Sequence, residues 1–205
     1  AAIVERFVQV LEKNPRRGTA FDRVYGAYVE RGELIKLVDR YSAQAKKAED
    51  DGTAAMILGL IESQRGRDRE AAAAFTEADR RLTRNPIASF YLGQSQLVLG
   101  KTEEAIPALE RAIARQPAPT DLMDVFQTLG RAYQRSLKPE EAAAVWSRME
   151  AKFPGDLRVQ EQIAQALLEE GQTALALPRL EKLAAQTKDK YKQTRFKVQV
   201  ADVKV

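Results

Sequence analysis

Apolar residues recur along most of this chain at the three- and four-residue spacing of a helix face, in short runs interrupted by glycine and proline. AAIVERFVQVLEK, at the start, reads as an amphipathic helix already in progress. Two later runs, AAMILGLI and IASFYLGQSQLVL, are apolar nearly all round. Helices of that kind must bury two faces rather than one. Helix starts are marked by Asn85 before Pro86, by Asp156 before Leu157, by Thr19 ahead of Asp22, and by Thr102 followed by Glu103 and Glu104. Stops are marked by Gly32, Gly66, Gly100 and Gly171, each placed for a left-handed cap.

These breaks are periodic. Gly32, Gly66 and Gly100 lie 34 residues apart, and Gly66, Gly100 and Gly171 are each followed five residues on by alanine (Ala71, Ala105, Ala176). Leu58-Gly59, Leu92-Gly93 and Leu129-Gly130 sit seven or eight residues before the turn, and Ile163-Ala164 takes that place in the last copy. The period predicts five helix-turn-helix units, 18–51, 52–85, 86–119, 123–156 and 157–190. Residues 120–122 form a short insertion, and 1–17 match the second helix of a truncated leading unit. The fourth unit puts Leu137 where the others have the turn glycine, and restarts at Pro139. In register, the small column Gly59, Gly93, Gly130, Ala164 faces the large column Phe75, Leu109, Trp146, Leu180. Small against large at helical spacing is a knob and its socket. One hairpin cannot bury such faces alone, so neighbours complete the core.

Composition narrows the chemistry. The 205 residues include no His and no Cys, so disulfides, Cys/His zinc sites and catalysis by imidazole or thiolate are all excluded, and no cofactor is implied. With 44% hydrophobic residues, the chain can build a core. No phosphate loop, dinucleotide fingerprint or catalytic carboxylate pair is present, and no transmembrane run. These absences point away from an enzyme. The net charge of +4 is unevenly placed: residues 1–190 hold 29 basic and 28 acidic side chains, the last fifteen hold four and one. A near-neutral body argues against a nucleic-acid partner, despite an isoelectric point near 9.3.

The 34-residue period, mid-helix Leu-Gly, aromatics such as Tyr28 and Tyr133, the turn glycine, the alanine that follows it and a closing proline together resemble the tetratricopeptide repeat (TPR) family. LGQSQLVLGKTEEAIPALERAIARQP is close to the family pattern. Gln44, Glu62 and Gln96 depart from it, standing where apolar residues are usual, and Lys188 replaces a proline. Pro107 and Pro178 fall inside second helices, where each removes one backbone bond. The resemblance covers residues 1 to about 190 and implies an all-α, right-handed superhelical solenoid of antiparallel helix pairs, first helices lining its concave face. It further implies a non-enzymatic scaffold whose groove takes a peptide or a partner helix. The other reading is a helical-repeat binder of nucleic acid or another acidic polymer. The Ala-, Arg- and Gln-rich composition has a bacterial character, and the chain reads as a piece of a longer protein, with cytoplasm, periplasm and cell envelope all open as compartments.

Helix phase assigns the groove. Met56, Ile57 and Leu60 come from the second unit, Phe90, Tyr91, Gln94 and Leu97 from the third, Gln127, Arg131 and Arg135 from the fourth, and Arg158, Glu161, Gln165 and Glu169 from the fifth. The expectation is that bulky apolar groups of a partner rest on Met56, Leu60, Phe90, Tyr91 and Leu97, while an acidic group meets Arg131 and Arg135, since guanidinium suits bidentate capture of a carboxylate. The competing expectation is that the array buries the apolar set against its own helices. Some family members clamp a terminal carboxylate with Lys and Asn; that set is missing here.

The last fifteen residues leave the repeat. RFKVQVADVKV alternates, with Phe196, Val198 and Val200 on one side and Val203 and Val205 resuming after a slip, which is a strand signal. Three fates stay open for 191–205: the first strand of a following segment, an extended piece docked in its own groove or a neighbour's (which would allow self-association), or a helix that caps the array.

Overall fold

A computed structural model describes residues 2–47 and 51–204. All regular structure among the described residues is helical, in twelve helices. They are α1 (Ala2–Lys13), α2 (Thr19–Glu30), α3 (Leu34–Ala45), α4 (Thr53–Gln64), α5 (Asp68–Arg81), α6 (Pro86–Val98), α7 (Thr102–Ala114), α8 (Pro119–Arg135), α9 (Pro139–Lys152), α10 (Leu157–Glu169), α11 (Thr173–Gln186) and α12 (Lys190–Val203). The chain divides into two compact units between Val125 and Phe126.

In the first unit each of α3 to α6 packs on the helix that follows, and α1 rests on both α2 and α4. The glycine column sets how closely the paired helices approach. A Cβ on Gly59 would lie 2.6 Å from the Phe75 ring, and one on Gly93 2.7 Å from Cγ of Leu109. Phe75 and Leu109 are buried in those sockets, each worth about 2–3 kcal/mol of apolar burial. In the second unit Gly130 receives the Trp146 ring in the same way, and α11 packs between α10 and α12.

The turns follow the sequence reading. Gly32, Gly66, Gly100 and Gly171 have φ of 67°, 70°, 73° and 69°. Leu137 adopts the same left-handed conformation at φ 55°, without glycine's freedom. Asn85 caps α6 by accepting from the N–H groups of Ile87 and Ala88, and Asp156 caps α10 by accepting from Arg158 N–H. Both α7 and α11 continue past Pro107 and Pro178 without interruption. Glu62, out of pattern and buried, is held by Arg65 one turn later at 2.9 Å. A denser polar knot ties α5, α6 and α7. The Asp79 carboxylate, 7% exposed as a residue, accepts from Ser89 Oγ (2.5 Å), Arg111 (2.8 Å) and Arg115 (2.5 Å). Arg115 also donates to the backbone carbonyls of Asp79, Leu82 and Asn85.

The C-terminal tail is a helix, not a strand. Asp189 caps α12 by accepting from Lys192 N–H at 3.0 Å. Phe196 is buried, and Gln193, Val200 and Val203 are half-buried beside it. Those four lie three, four and three residues apart, so one helix face satisfies them. Val198, which made the alternation look like a strand, is 54% exposed on the far side. Val205 lies outside the described residues. α12 is fastened by Gln193 to the Ala184 carbonyl (3.1 Å) and by Lys204 to Glu181 (2.7 Å).

Candidate functional site

Helix phase placed fourteen side chains on a ligand surface, and the structure separates them. Met56, Ile57 and Leu60 are at most 1% exposed. They are core residues, which corrects their reading as a ligand floor. α4 packs against α1 as well as α3 and α5, in keeping with burial on more than one of its sides. Phe90 and Tyr91 are also buried, the latter between Phe75 (ring centroids 5.5 Å apart) and Phe90 (6.0 Å). Gln94, Leu97 and Gln127 are half-buried, and Arg131 and Arg135 are exposed.

In the first unit, Tyr91, Gln94 and Leu97 come together around a cavity of about 300 Å³, with Ser63 from the end of α4 and Asp68 from the start of α5. Arg17, from the loop between α1 and α2, closes one side of it. The Arg17 backbone N–H donates to Tyr91 Oη at 2.9 Å. Its guanidinium donates to Ser63 Oγ at 2.8 Å and lies 5.5 Å from the Tyr91 ring centroid. Burial raises the Tyr91 hydroxyl above its ordinary pKa, so it stays a neutral phenol at physiological pH. Arg16 donates two hydrogen bonds to the Asp121 carboxylate, at 2.7 and 3.2 Å. Arg16, Arg17, Ser63 and Asp121 were missed by helix phase. Three of them lie outside the repeat phase, in a loop or in the 120–122 insertion; only the Pro-Arg-Arg-Gly break hinted at a special loop.

In the second unit a cavity of about 530 Å³ is lined by Gln127, Arg131, Arg158, Glu161, Gln165 and Arg195, with Trp146 in its wall. Gln127 and Arg131 were expected there, as were Arg158, Glu161 and Gln165; Arg195 comes from the tail, and Trp146 from the core column. Glu161 pairs with Lys192 at 3.3 Å and with Arg195, and these hold its carboxyl below the usual range against the opposing effect of burial. Arg158 is occupied by the capping Asp156 at 2.9 Å. Arg131 has only a loose contact with Glu169, at 3.7 Å. Glu170 is pushed up to about 7 by burial, with Glu169 adding to the rise and Arg131 opposing it. The cavity thus offers guanidinium and amide donors to an acceptor ligand. Among the described residues no group of three or more acidic, His or Cys side chains is placed to hold a metal ion, and no helix is long and apolar enough to cross a membrane.

The tetratricopeptide repeat family model matches residues 69–121 and 128–191, more than half of the chain. The chain belongs to the TPR family, and its fold is the TPR-type solenoid of helix pairs. A comparison with curated proteins finds no match. Among solved structures it is similar to YrrB, described as a TPR protein with an unusual peptide-binding site, at 18% identity and a TM-score of 0.59, over 95% of this chain and 98% of that one. It is similar also to the C-terminal part of a TPR repeat-containing protein from Cytophaga hutchinsonii (19% identity, TM-score 0.62, 98% and 88% covered). A third is a kinesin light chain TPR-like array from Podosopora anserina (19%, 0.63, 81% and 92%). TPR proteins are in general non-enzymatic scaffolds that bind protein or peptide partners, and a protein-interaction scaffold is the class this fold defines.

Proposed function

We propose that the five units 18–51, 52–85, 86–119, 123–156 and 157–190 act as a scaffold for a peptide or partner helix, within a longer bacterial protein. The partner presents a carboxylate to Arg131, with Arg135 and Gln127 beside it. One observation carries this reading: Arg131 lies in the wall of the 530 Å³ cavity, its side chain 58% exposed and its contact with Glu169 as long as 3.7 Å. So weak an exposed pair costs little to exchange for a ligand carboxylate. Met56, Ile57 and Leu60 serve as the support beneath this scaffold, while Tyr91, Gln94 and Leu97 keep the role of a ligand wall. Phe90 backs Tyr91.

The test is selection of peptides from a random library on the intact chain, followed by counter-screening on Arg131→Ala/Arg135→Ala. The expected result is enrichment of Asp, Glu or free C-termini, with affinity lost by roughly tenfold or more in the double variant. Recovered peptides that bind the variant equally well would refute the reading.

A further inference from the structure

The loop from Asn14 to Gly18 behaves as a ligand of its own chain. The α5–α6 and α9–α10 connections close on themselves, with Asn85 N–H on the Leu82 carbonyl and Asp156 N–H on the Phe153 carbonyl. The Asn14–Gly18 loop instead bonds helices remote in sequence. Pro15 is buried. Arg17 bonds Ser63 on α4 and Tyr91 on α6, and Arg16 bonds Asp121 on α8, across 46, 74 and 105 residues of sequence. Two adjacent arginines therefore grip the first helices of three successive hairpins, as an extended peptide laid across them would.

The receiving side is built for guanidinium. Asp121 sits on the 120–122 insertion, which extends α8 back to Pro119, and its side chain is only 12% exposed. A carboxylate that deep strongly disfavours being left without a cation. Two parallel hydrogen bonds to one guanidinium suit arginine and not lysine. The second guanidinium has a hydroxyl acceptor at Ser63 and an aromatic face at Tyr91. The occupant remains within reach of solvent: the Arg16 side chain is 41% exposed, and open cavity adjoins Arg17 with Asp68 at its edge.

We propose that Ser63, Tyr91 and Asp121 form an arginine-recognition site, filled by the chain's own Arg16 and Arg17 and opened to an extended partner peptide that presents arginine in their place. The α1–α2 loop is then a tethered competitor that sets the threshold for that partner. The site belongs to the first unit and takes a basic segment. It is independent of the carboxylate-binding role of Arg131 and stands or falls apart from it.

The probe is a synthetic peptide of the loop's own sequence, residues 12–19, labelled and titrated by fluorescence anisotropy. The parent chain holds its loop in place and binds weakly. Arg16→Gln/Arg17→Gln empties both guanidinium positions and is expected to bind roughly tenfold more tightly or better, because the tethered loop then competes without its arginines. Adding Asp121→Asn to that variant should return binding to the parent level, and a probe with both arginines changed to lysine should lose it. Equal binding by parent and vacated chains, or binding that ignores Asp121, overturns the proposal. Arg16→Gln alone guards against misfolding. If both vacated forms lose their helical circular dichroism, the loop is a structural strut and the proposal also fails.

Discussion

Two hairpins built on the same pattern show how differently it can be filled. The α6–α7 pair has a left-handed glycine at its turn, a leucine knob over Gly93 and an asparagine cap, and its Ser89 and Arg111 converge on the buried Asp79 of α5, although Gln96 Oε1 is buried without a partner. The stretch from Gly130 to Trp146, joining α8 to α9, has Leu137 in the left-handed turn and a tryptophan over its glycine. Several buried polar atoms there are without hydrogen-bond partners, among them Trp146 Nε1, Ser136 Oγ and both ends of Gln134. The nearest counterpart of Asp79 is Glu150, which meets Arg179 at 2.5 Å and is itself 27% exposed. The period fixes where helices turn and touch. It does not fix how well each contact is satisfied, and the first hairpin is the better satisfied of the two.

The strongest way to break this contrast is at the ion pairs. Asp79→Ala strands Arg111 and Arg115 and leaves Ser89 without its acceptor, so a loss of about 3 kcal/mol is expected. Glu150→Ala removes one more exposed carboxylate and is expected to cost about 1 kcal/mol. Urea unfolding of the two variants checks the ranking. Equal losses would mean that burial of the acid does not control the outcome.

The glycine sockets come next. Mid-helix Gly→Ala ordinarily gains about 1 kcal/mol of helix propensity. At Gly130 the new methyl would collide with the rigid ring of Trp146, which is 1% exposed and can move only as a whole. A net loss of about 2 kcal/mol is expected. At Gly93 the obstacle is Leu109 (Cγ at 2.7 Å, Cδ2 at 2.8 Å), a smaller and more flexible side chain than tryptophan, so about 1 kcal/mol is expected there. Thermal midpoints compare them, and a Gly93 variant that loses more than the Gly130 variant would reverse the argument.

These sockets were legible in the sequence because they are local and repeated: a Leu-Gly pair and a large residue at fixed offset define the same contact in each copy. The turn glycines were legible for the same reason. The ligand surface was only half legible. Gln94, Leu97, Gln127 and Arg131, placed by phase, line cavity walls. Phase could not reveal that Met56 and Leu60 are core residues, because α4 also packs on α1, which lies outside its unit. Nor could it foresee Arg16 on Asp121, 105 residues apart. The tail misled because Phe196 and Val200 fit both a strand and a helix, while Val203, three residues on, fits the helix face and Val198 lies exposed on the far side.

Leu137 sharpens the comparison in the opposite direction. Its side chain is 88% exposed, so replacing it removes almost no packing, while glycine relieves the left-handed strain at φ 55°. Leu137→Gly is expected to stabilise the chain by about 0.5–1 kcal/mol, after subtracting glycine's greater freedom when unfolded. A measured loss in midpoint would show that the turn is not strained.

The last effect is a pH dependence confined to the second unit. Glu170 rises from its ordinary 4.5 to about 7 because burial disfavours its charge, and its Oε2 has no hydrogen-bond partner. Between those two values the folded chain therefore holds a proton that the unfolded chain has released. Stability contributed by the neutral carboxyl is complete below pH 4.5 and is lost as pH climbs towards 7. Glu170→Gln keeps a neutral side chain of the same shape and abolishes that slope. The difference in urea midpoint between parent and variant should then drift steadily against the parent from pH 4.5 to 7 and level off above it. The opposing pull of Arg131 adds a cross-check, for Arg131→Ala removes the cation that favours the charged form and should push the drift to higher pH. A difference that stays flat across the window would mean that Glu170 remains charged where it lies.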